Sequence, residues 1–252
     1  MARVARKQSE TGIYHIMLRG NNRQQIFLDD EDNETFIGII KEYKVICNFS
    51  LLAYCLMGNH IHILIKTNEI PVANIMKRIV VKFVYYYNIK YSRVGHLFQD
   101  RFKSEPVEND EYLFQVVRYI HQNPLKAGIC NRIDEYKYSS YNDYMVKGNN
   151  KNILTDTDFI LEMMPLSKLK KYHLEIDSEF KCIDIAPISI RVSDVEAIKI
   201  INDVLRVENI EDLKQQHKLV QMDIAKQLKN KGLSIRQISR ITGISKRIVE
   251  LS

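Results

Sequence analysis

An α+β fold is the class predicted by this 252-residue sequence. Three observations predict it. Short apolar runs closed by turn residues alternate with segments whose apolar positions recur every three or four residues. Residues 60–66 alternate histidine or leucine with isoleucine, the period of a strand. From residue 191 onward only helical periodicity remains.

The elements follow in chain order. Ile-Tyr-His-Ile-Met-Leu at 13–18 reads as a strand closed by Gly20-Asn21-Asn22. Residues 29–33 then offer N-caps to a helix carrying Phe36, Ile39, Ile40 and Tyr43. Residues 50–57 and 60–66 are two strands joined by Gly58-Asn59, a hairpin in which the glycine is expected to supply a positive φ. Ile75, Ile79, Phe83 and Tyr86 mark an amphipathic helix from Ala73 to about Tyr91, broken by Gly95. Residues 103–107 are a short fourth strand. A further helix starts with Asn109 or Asp110 as N-cap and runs through Leu113, Val116, Val117 and Ile120. Pro124 is expected to stop it, since proline lacks an N–H and disfavours the α region at Asn123. The order β-α-β-β-α-β-α predicts a ferredoxin-like (RRM-like) domain, an antiparallel sheet covered by helices on one face. Residues 1–147 form this domain, 148–190 a linker, and 191–252 an all-α module in which Ser193 caps a helix containing Val195, Ile198, Ile201, Val204 and Leu205.

Net charge is +6, and the segment 218–252 alone carries +6, whereas 173–217 carries −5. Two basic modules flanking an acidic stretch favour a polyanionic partner, nucleic acid being the commonest. No apolar run approaches the roughly 20 residues of a membrane helix, and the first residues contain no signal-peptide core, so a cytoplasmic protein with no membrane partner is expected. The four cysteines form no C-x-x-C pair and read as free, mostly buried thiols.

His60 and His62 share one face of their strand while Ile61, Ile63 and Ile65 take the other, which makes the imidazoles a metal half-site. An isolated His-x-His equally suits the polar face of a half-buried strand. Tyr119 and Asn123 stand at i and i+4 on one helical face, placing a phenol beside an amide oxygen. Taken alone, the pair also reads as a core-rim tyrosine and a helix-end asparagine. Tyr85, Tyr86, Tyr87 and Tyr91 interleave with Lys82, Lys90 and Arg93, a mixture suited to base stacking and phosphate contact, or else a core stripe flanked by solvated lysines. Tyr86 fits the core better. Arg101 and Lys103 precede the tyrosine helix as phosphate candidates. His96 and His121 require only ordinary polar packing.

Three ordered motifs are more specific together: Tyr14-His-Ile-Met-Leu-Arg-Gly-Asn-Asn-Arg-Gln, then Gly-Asn-His-Ile-His-Ile-Leu-Ile from Gly58, then Tyr-Ile-His-Gln-Asn-Pro-Leu-Lys-Ala-Gly from Tyr119. Over about residues 8–147 the chain resembles the single-tyrosine HUH transposases, most closely the REP-associated tyrosine transposases. The resemblance implies that His60 and His62 are metal ligands, that Tyr119 is the nucleophile, and that Asn123 is a third ligand where relatives often place glutamine. It further implies Mg²⁺ or Mn²⁺ as cofactor and single-stranded, hairpin-containing DNA as substrate. Attack by Tyr119 would leave a 5′-phosphotyrosine and a free 3′-OH, so rejoining needs no ATP. The chain accordingly has no Gly-x-x-x-x-Gly-Lys loop.

Residues 232–252 resemble the helix-turn-helix of bacterial DNA-binding proteins. Ile238 and Ile241 are core positions, Gly243 lies in the turn, Ser245 caps the second helix, and Val249 returns to the core. Arg236, Lys246 and Arg247 are the groove-contacting candidates for duplex DNA. A helical bundle that only braces the catalytic domain is the competing reading. A hairpin-DNA regulator without catalysis, and an HUH replication or transfer initiator nuclease, remain alternative functions for a monomer or homodimer.

Overall fold

The computed structural model describes residues 6–146, 153–175, 182, 194–205, 216–231, 233 and 235–251. Its contacts divide the chain into Met1–Asp184 and Ile185–Ser252.

In the first unit the strands are β1 (Ile13–Arg19), β2 (Ser50–Met57), β3 (His60–Lys66) and β4 (Lys103–Pro106). They form one antiparallel sheet in the order β2-β3-β1-β4. The helices are α1 (Asp30–Cys47), α2 (Val72–Lys90), α3 (Asp110–Lys126), α4 (Tyr141–Met145), α5 (Asp158–Met163) and α6 (Leu166–Leu174). Asp29 caps α1 by accepting from the Asp32 N–H at 3.0 Å, and Asn109 caps α3 by accepting from the Tyr112 N–H at 2.8 Å.

Helices cover both faces of the sheet, where one face was expected. Tyr14, Ile16, Leu18, Ile61, Ile63 and Ile65 pack with Phe36 and Ile40 of α1 and Ile75, Ile79 and Phe83 of α2. On the opposite face Ile13, Leu52, Cys55, Met57 and Leu64 pack with Val116, Val117 and Ile120 of α3. The same core takes in Tyr144 of α4, Ile160 of α5 and Leu169 of α6. Strand alternation feeds both cores from the same residues in sequence. Part of the expected linker is therefore structure, because α5 and α6 supply apolar side chains that complete the second core.

Three local expectations are corrected. α3 continues past Pro124 to Lys126 and ends at Gly128, whose φ is +68°. Proline so near the C-terminus removes one hydrogen bond without ending the helix, and the glycine takes the left-handed position. Gly58 does not have a positive φ; a Cβ there would lie 2.2 Å from Gln25 Oε1, so close side-chain approach is what favours glycine. Cys47 and Cys55 are buried, whereas Cys130 and Cys182 are half-buried.

The second unit contains α7 (Asp194–Leu205), α8 (Lys218–Asn230), α9 (Ile235–Thr242) and α10 (Lys246–Leu251). Ala197, Ile201, Ala225, Leu228, Ile238, Ile244 and Val249 form its core. α9 and α10 are separated by Gly243, at φ +72°, with Ile244 and Ser245 following. Ser245 Oγ accepts from the Ile248 N–H at 3.4 Å. The expected cap Ser193 lies outside the described residues, and Ile198 of α7 is exposed. Among the described residues no helix is long and apolar enough to cross a membrane.

Candidate active site

Register builds the site. β1 pairs antiparallel with β3 so that Met17 faces His62 and Arg19 faces His60. The isoleucines of β3 fill the α1/α2 core, so both imidazoles project toward α3. Successive turns of α3 deliver Tyr119 and Asn123 to that surface. His60 Nε2 lies 3.4 Å from Asn123 Oδ1. The Tyr119 ring stands edge-on to His62, with centroids 5.5 Å apart and planes at 82°. The His60 and His62 rings are perpendicular at 5.2 Å. All four side chains are buried, with exposures of 8% for His60, 0% for His62, 5% for Tyr119 and 8% for Asn123. Residues separated by about sixty positions in sequence thus share one buried cluster.

His15 of β1 belongs to the same group, and sequence reasoning missed it. Its Nε2 lies 3.0 Å from His62 Nδ1, the two rings stack at 5.2 Å, and its centroid is 6.1 Å from that of Tyr119. The signal was strand alternation, which puts His15 on one face with Met17 and Arg19, but its partner emerges only from the β1/β3 register. Burial holds the His15 pKa down to about 3. Burial, aided by charge repulsion from His15 and His60, likewise holds His62 well below the ordinary histidine range. Both imidazoles are neutral at physiological pH, the state in which imidazole donates a lone pair.

Among the described residues no group of three or more His, Cys, Asp or Glu side chains is placed to hold a metal ion. The donor set here is two imidazoles and an amide oxygen, and it fits a divalent cation chemically. His62 Nε2 is buried with no hydrogen-bond partner among the described residues, an orphaned ligand-type atom in a site that brings His60 and Asn123 together.

The cationic candidates separate. Arg101 and Lys103 line an open groove of about 710 Å³ with Arg6 and Lys7, beside edge strand β4. Arg6 stacks on Phe102 at 3.8 Å. Lys82 and Tyr85 sit on α2, the helix that covers the other face of the sheet, and Lys82 is ion-paired with Glu42. The structure does not bring these two to the histidine pair. Tyr85 is exposed, but Tyr87 is buried, and Tyr86 and Tyr91 hydrogen-bond the buried carboxylate of Asp32 at 3.1 and 2.7 Å. Lys90 joins them at 3.0 Å. The expected stacking surface on α2 is therefore reduced to Tyr85. Arg236, Lys246 and Arg247 are exposed on α9 and α10.

With this geometry in place, comparison with known proteins finds likenesses over most of the first unit. The family described as transposase IS200 like matches residues 8–123. A Haemophilus influenzae protein described as a REP-associated tyrosine transposase is 27% identical over 156 residues, spanning 56% of this chain and 86% of the relative. A solved REP-associated tyrosine transposase bound to a REP hairpin superposes with a TM-score of 0.52 at 18% identity, covering 59% of this chain and 87% of that chain. The second match establishes likeness of fold. All of the residues grouped around the histidine pair lie inside the matched residues 8–123, while α9 and α10 lie beyond them.

Proposed function

We propose that the protein is a DNA strand transferase that cleaves and rejoins single-stranded, hairpin-containing DNA through a 5′-phosphotyrosine at Tyr119. The observation that carries this reading is the convergence of His60, His62, Tyr119 and Asn123 in one buried cluster, within the residues that match IS200-like transposases. The domain is then a ferredoxin-like HUH catalytic domain. The solved relative's REP hairpin supports hairpin DNA as the substrate class.

His60, His62 and Asn123 would hold a divalent cation, Mg²⁺ or Mn²⁺. Bound there, the ion supplies Lewis-acid polarisation of a phosphoryl oxygen and neutralises charge in the transition state. A phenol with a pKa near 10 is a weak nucleophile at neutral pH, so orientation matters. The rigid α3 turn directs Tyr119 at the phosphate for in-line attack. Its oxygen forms the new bond to phosphorus as the bond from phosphorus to the strand's 3′-oxygen breaks, and the proton lost by the phenol is balanced by the one taken up by that oxygen, which leaves as a 3′-OH. The reverse attack by a 3′-OH regenerates Tyr119 and a phosphodiester. Arg6, Lys7, Arg101 and Lys103 bind the phosphate backbone along the β4 edge. In the second unit Arg236, Lys246 and Arg247 contact duplex DNA flanking the hairpin.

The test uses labelled hairpin oligonucleotides taken from the DNA flanking the gene, incubated with Mn²⁺ and resolved on denaturing gels. Wild type forms a covalent protein–DNA adduct and releases a free 3′-OH fragment. Tyr119→Phe forms none while retaining hairpin binding, since only the attacking oxygen is lost. An undiminished adduct from Tyr119→Phe refutes the assignment and turns attention to Tyr112 and Tyr14.

A further inference from the structure

We propose that Asn59 and His15 are positioning residues that lock His60 and His62 in the tautomers whose Nε2 lone pairs face the cation; this rests on the metal reading above. A neutral imidazole carries one N–H and one lone pair, so whatever binds one nitrogen decides the chemistry of the other. Asn59 Oδ1 lies 2.6 Å from His60 Nδ1. A carbonyl oxygen only accepts, so the His60 proton is on Nδ1 and its Nε2 is a bare lone pair. That lone pair faces Asn123 Oδ1 at 3.4 Å, a second acceptor. Two acceptors brought face to face in a buried site are stabilised by a positive ion between them.

His62 repeats the arrangement. Its Nδ1 lies 3.0 Å from His15 Nε2, and its Nε2 is buried with no partner among the described residues. A proton donated from His62 Nδ1 to His15 Nε2 leaves His62 Nε2 as the lone pair. His15 sits fully buried on the neighbouring strand, stacked on His62, so it has little freedom to release the bond. Each ligand histidine is thus anchored at Nδ1 by one side chain, Asn59 from the turn that begins β3 and His15 from β1. Partners of this kind orient a ligand ring and raise its basicity.

The measurement is Mn²⁺ affinity by calorimetry on the full chain, with unfolding temperature in EDTA as a control for folding. Asn59→Leu and His15→Phe keep the volume but remove the acceptor, and are expected to bind Mn²⁺ about 10–100-fold more weakly. Asn59→Asp and His15→Gln restore an acceptor oxygen and are expected to recover most of the affinity. Folded Leu and Phe variants that bind as tightly as wild type overturn the inference, as do Asp and Gln variants no better than Leu and Phe. Long-range ¹H–¹⁵N spectra of the wild-type histidines in Mg²⁺ read the same point without substitution. Protons on both Nδ1 atoms are expected, and a proton on either Nε2 overturns the assignment. A wild-type chain that binds neither ion refutes the metal reading itself, a result distinct from those that concern Asn59 and His15 alone.

Discussion

The imidazoles of His121 and His173 share a 2.8 Å hydrogen bond and stack with centroids 5.0 Å apart, joining the tyrosine helix α3 to α6. The bond lies within a longer chain. His173 Nδ1 donates to Leu169 O at 2.8 Å, His121 Nδ1 donates to His173 Nε2, Ser140 Oγ donates to His121 Nε2 at 2.8 Å, and the Tyr54 N–H donates to Ser140 Oγ at 2.8 Å. With both rings neutral every donor in this chain meets an acceptor. Gln122 reinforces the junction by donating to the carbonyls of His173 and Glu175, each at 2.9 Å. His121, which in sequence required no more than ordinary polar packing, is the middle of this relay.

Acid should therefore unfold the first unit early. Burial lowers the His173 pKa to about 4 and puts His121 well below its ordinary value, whereas the unfolded chain titrates near 6.5. Below pH 6.5 the unfolded state binds more protons than the folded one, so stability present above 6.5 is lost as pH falls toward the folded value. For His173 alone the loss amounts to roughly 3 kcal/mol. Urea midpoints at pH 7.5, 5.5 and 4.5 should fall in that order. A midpoint that does not move between 7.5 and 4.5 contradicts the neutral relay.

α5 and α6 should be indispensable to the first unit. Ile160 and Leu169 are fully buried against α3 and the sheet, so Leu169→Ala should cost about 2–5 kcal/mol through lost burial and a residual cavity. A fragment ending at residue 146 leaves that core open and should aggregate, while one ending at residue 184 should remain monodisperse on gel filtration. Equal solubility of the two fragments would show that the helices are dispensable.

Asn123 should be separable from the fold. It is near the end of α3, and its amide meets His60 Nε2. Asn123→Ala should weaken Mn²⁺ binding by at least about tenfold, or 1.4 kcal/mol, and Asn123→Gln should bind more tightly than Ala because it keeps an amide oxygen. Calorimetry checks both. Indistinguishable affinities for Ala and wild type would remove Asn123 from the ligand set.

The second unit should read out in salt. Lys246 and Arg247 are exposed at the start of α10, and if each neutralises one phosphate, Lys246→Gln with Arg247→Gln should reduce the slope of log affinity against log salt by about 1.8. Affinity for duplex DNA measured at several salt concentrations gives the slope. An unchanged slope favours the bracing-bundle reading.

Legibility followed the range of the interactions. β2 and β3 were visible to the residue because a continuous apolar run, the period-two alternation of 60–66 and the Gly58-Asn59 turn are local signals. His60 with His62, and Tyr119 with Asn123, were visible for the same reason, each pair being fixed by strand or helix geometry. His15 was not, because its partner is 47 residues away and only the β1/β3 register joins them. α6 was hidden because its lysine-rich surface leaves few apolar positions in nine residues, and its packing depends on α3. The second covering layer went unseen for a related reason: apolar residues on both faces of a strand say that both are buried, without saying by what.

The single-residue interleaving of His60, Ile61, His62 and Ile63 makes β3 intolerant of changes in length. A slip of one residue would exchange the two faces, driving imidazoles into the α1/α2 core and presenting isoleucines to Tyr119. Chemistry and cohesion are thereby written on the same seven residues in alternate positions. Insertions and deletions compatible with activity are confined to turns, and even the Gly58-Asn59 turn is constrained, because Asn59 must remain next to His60.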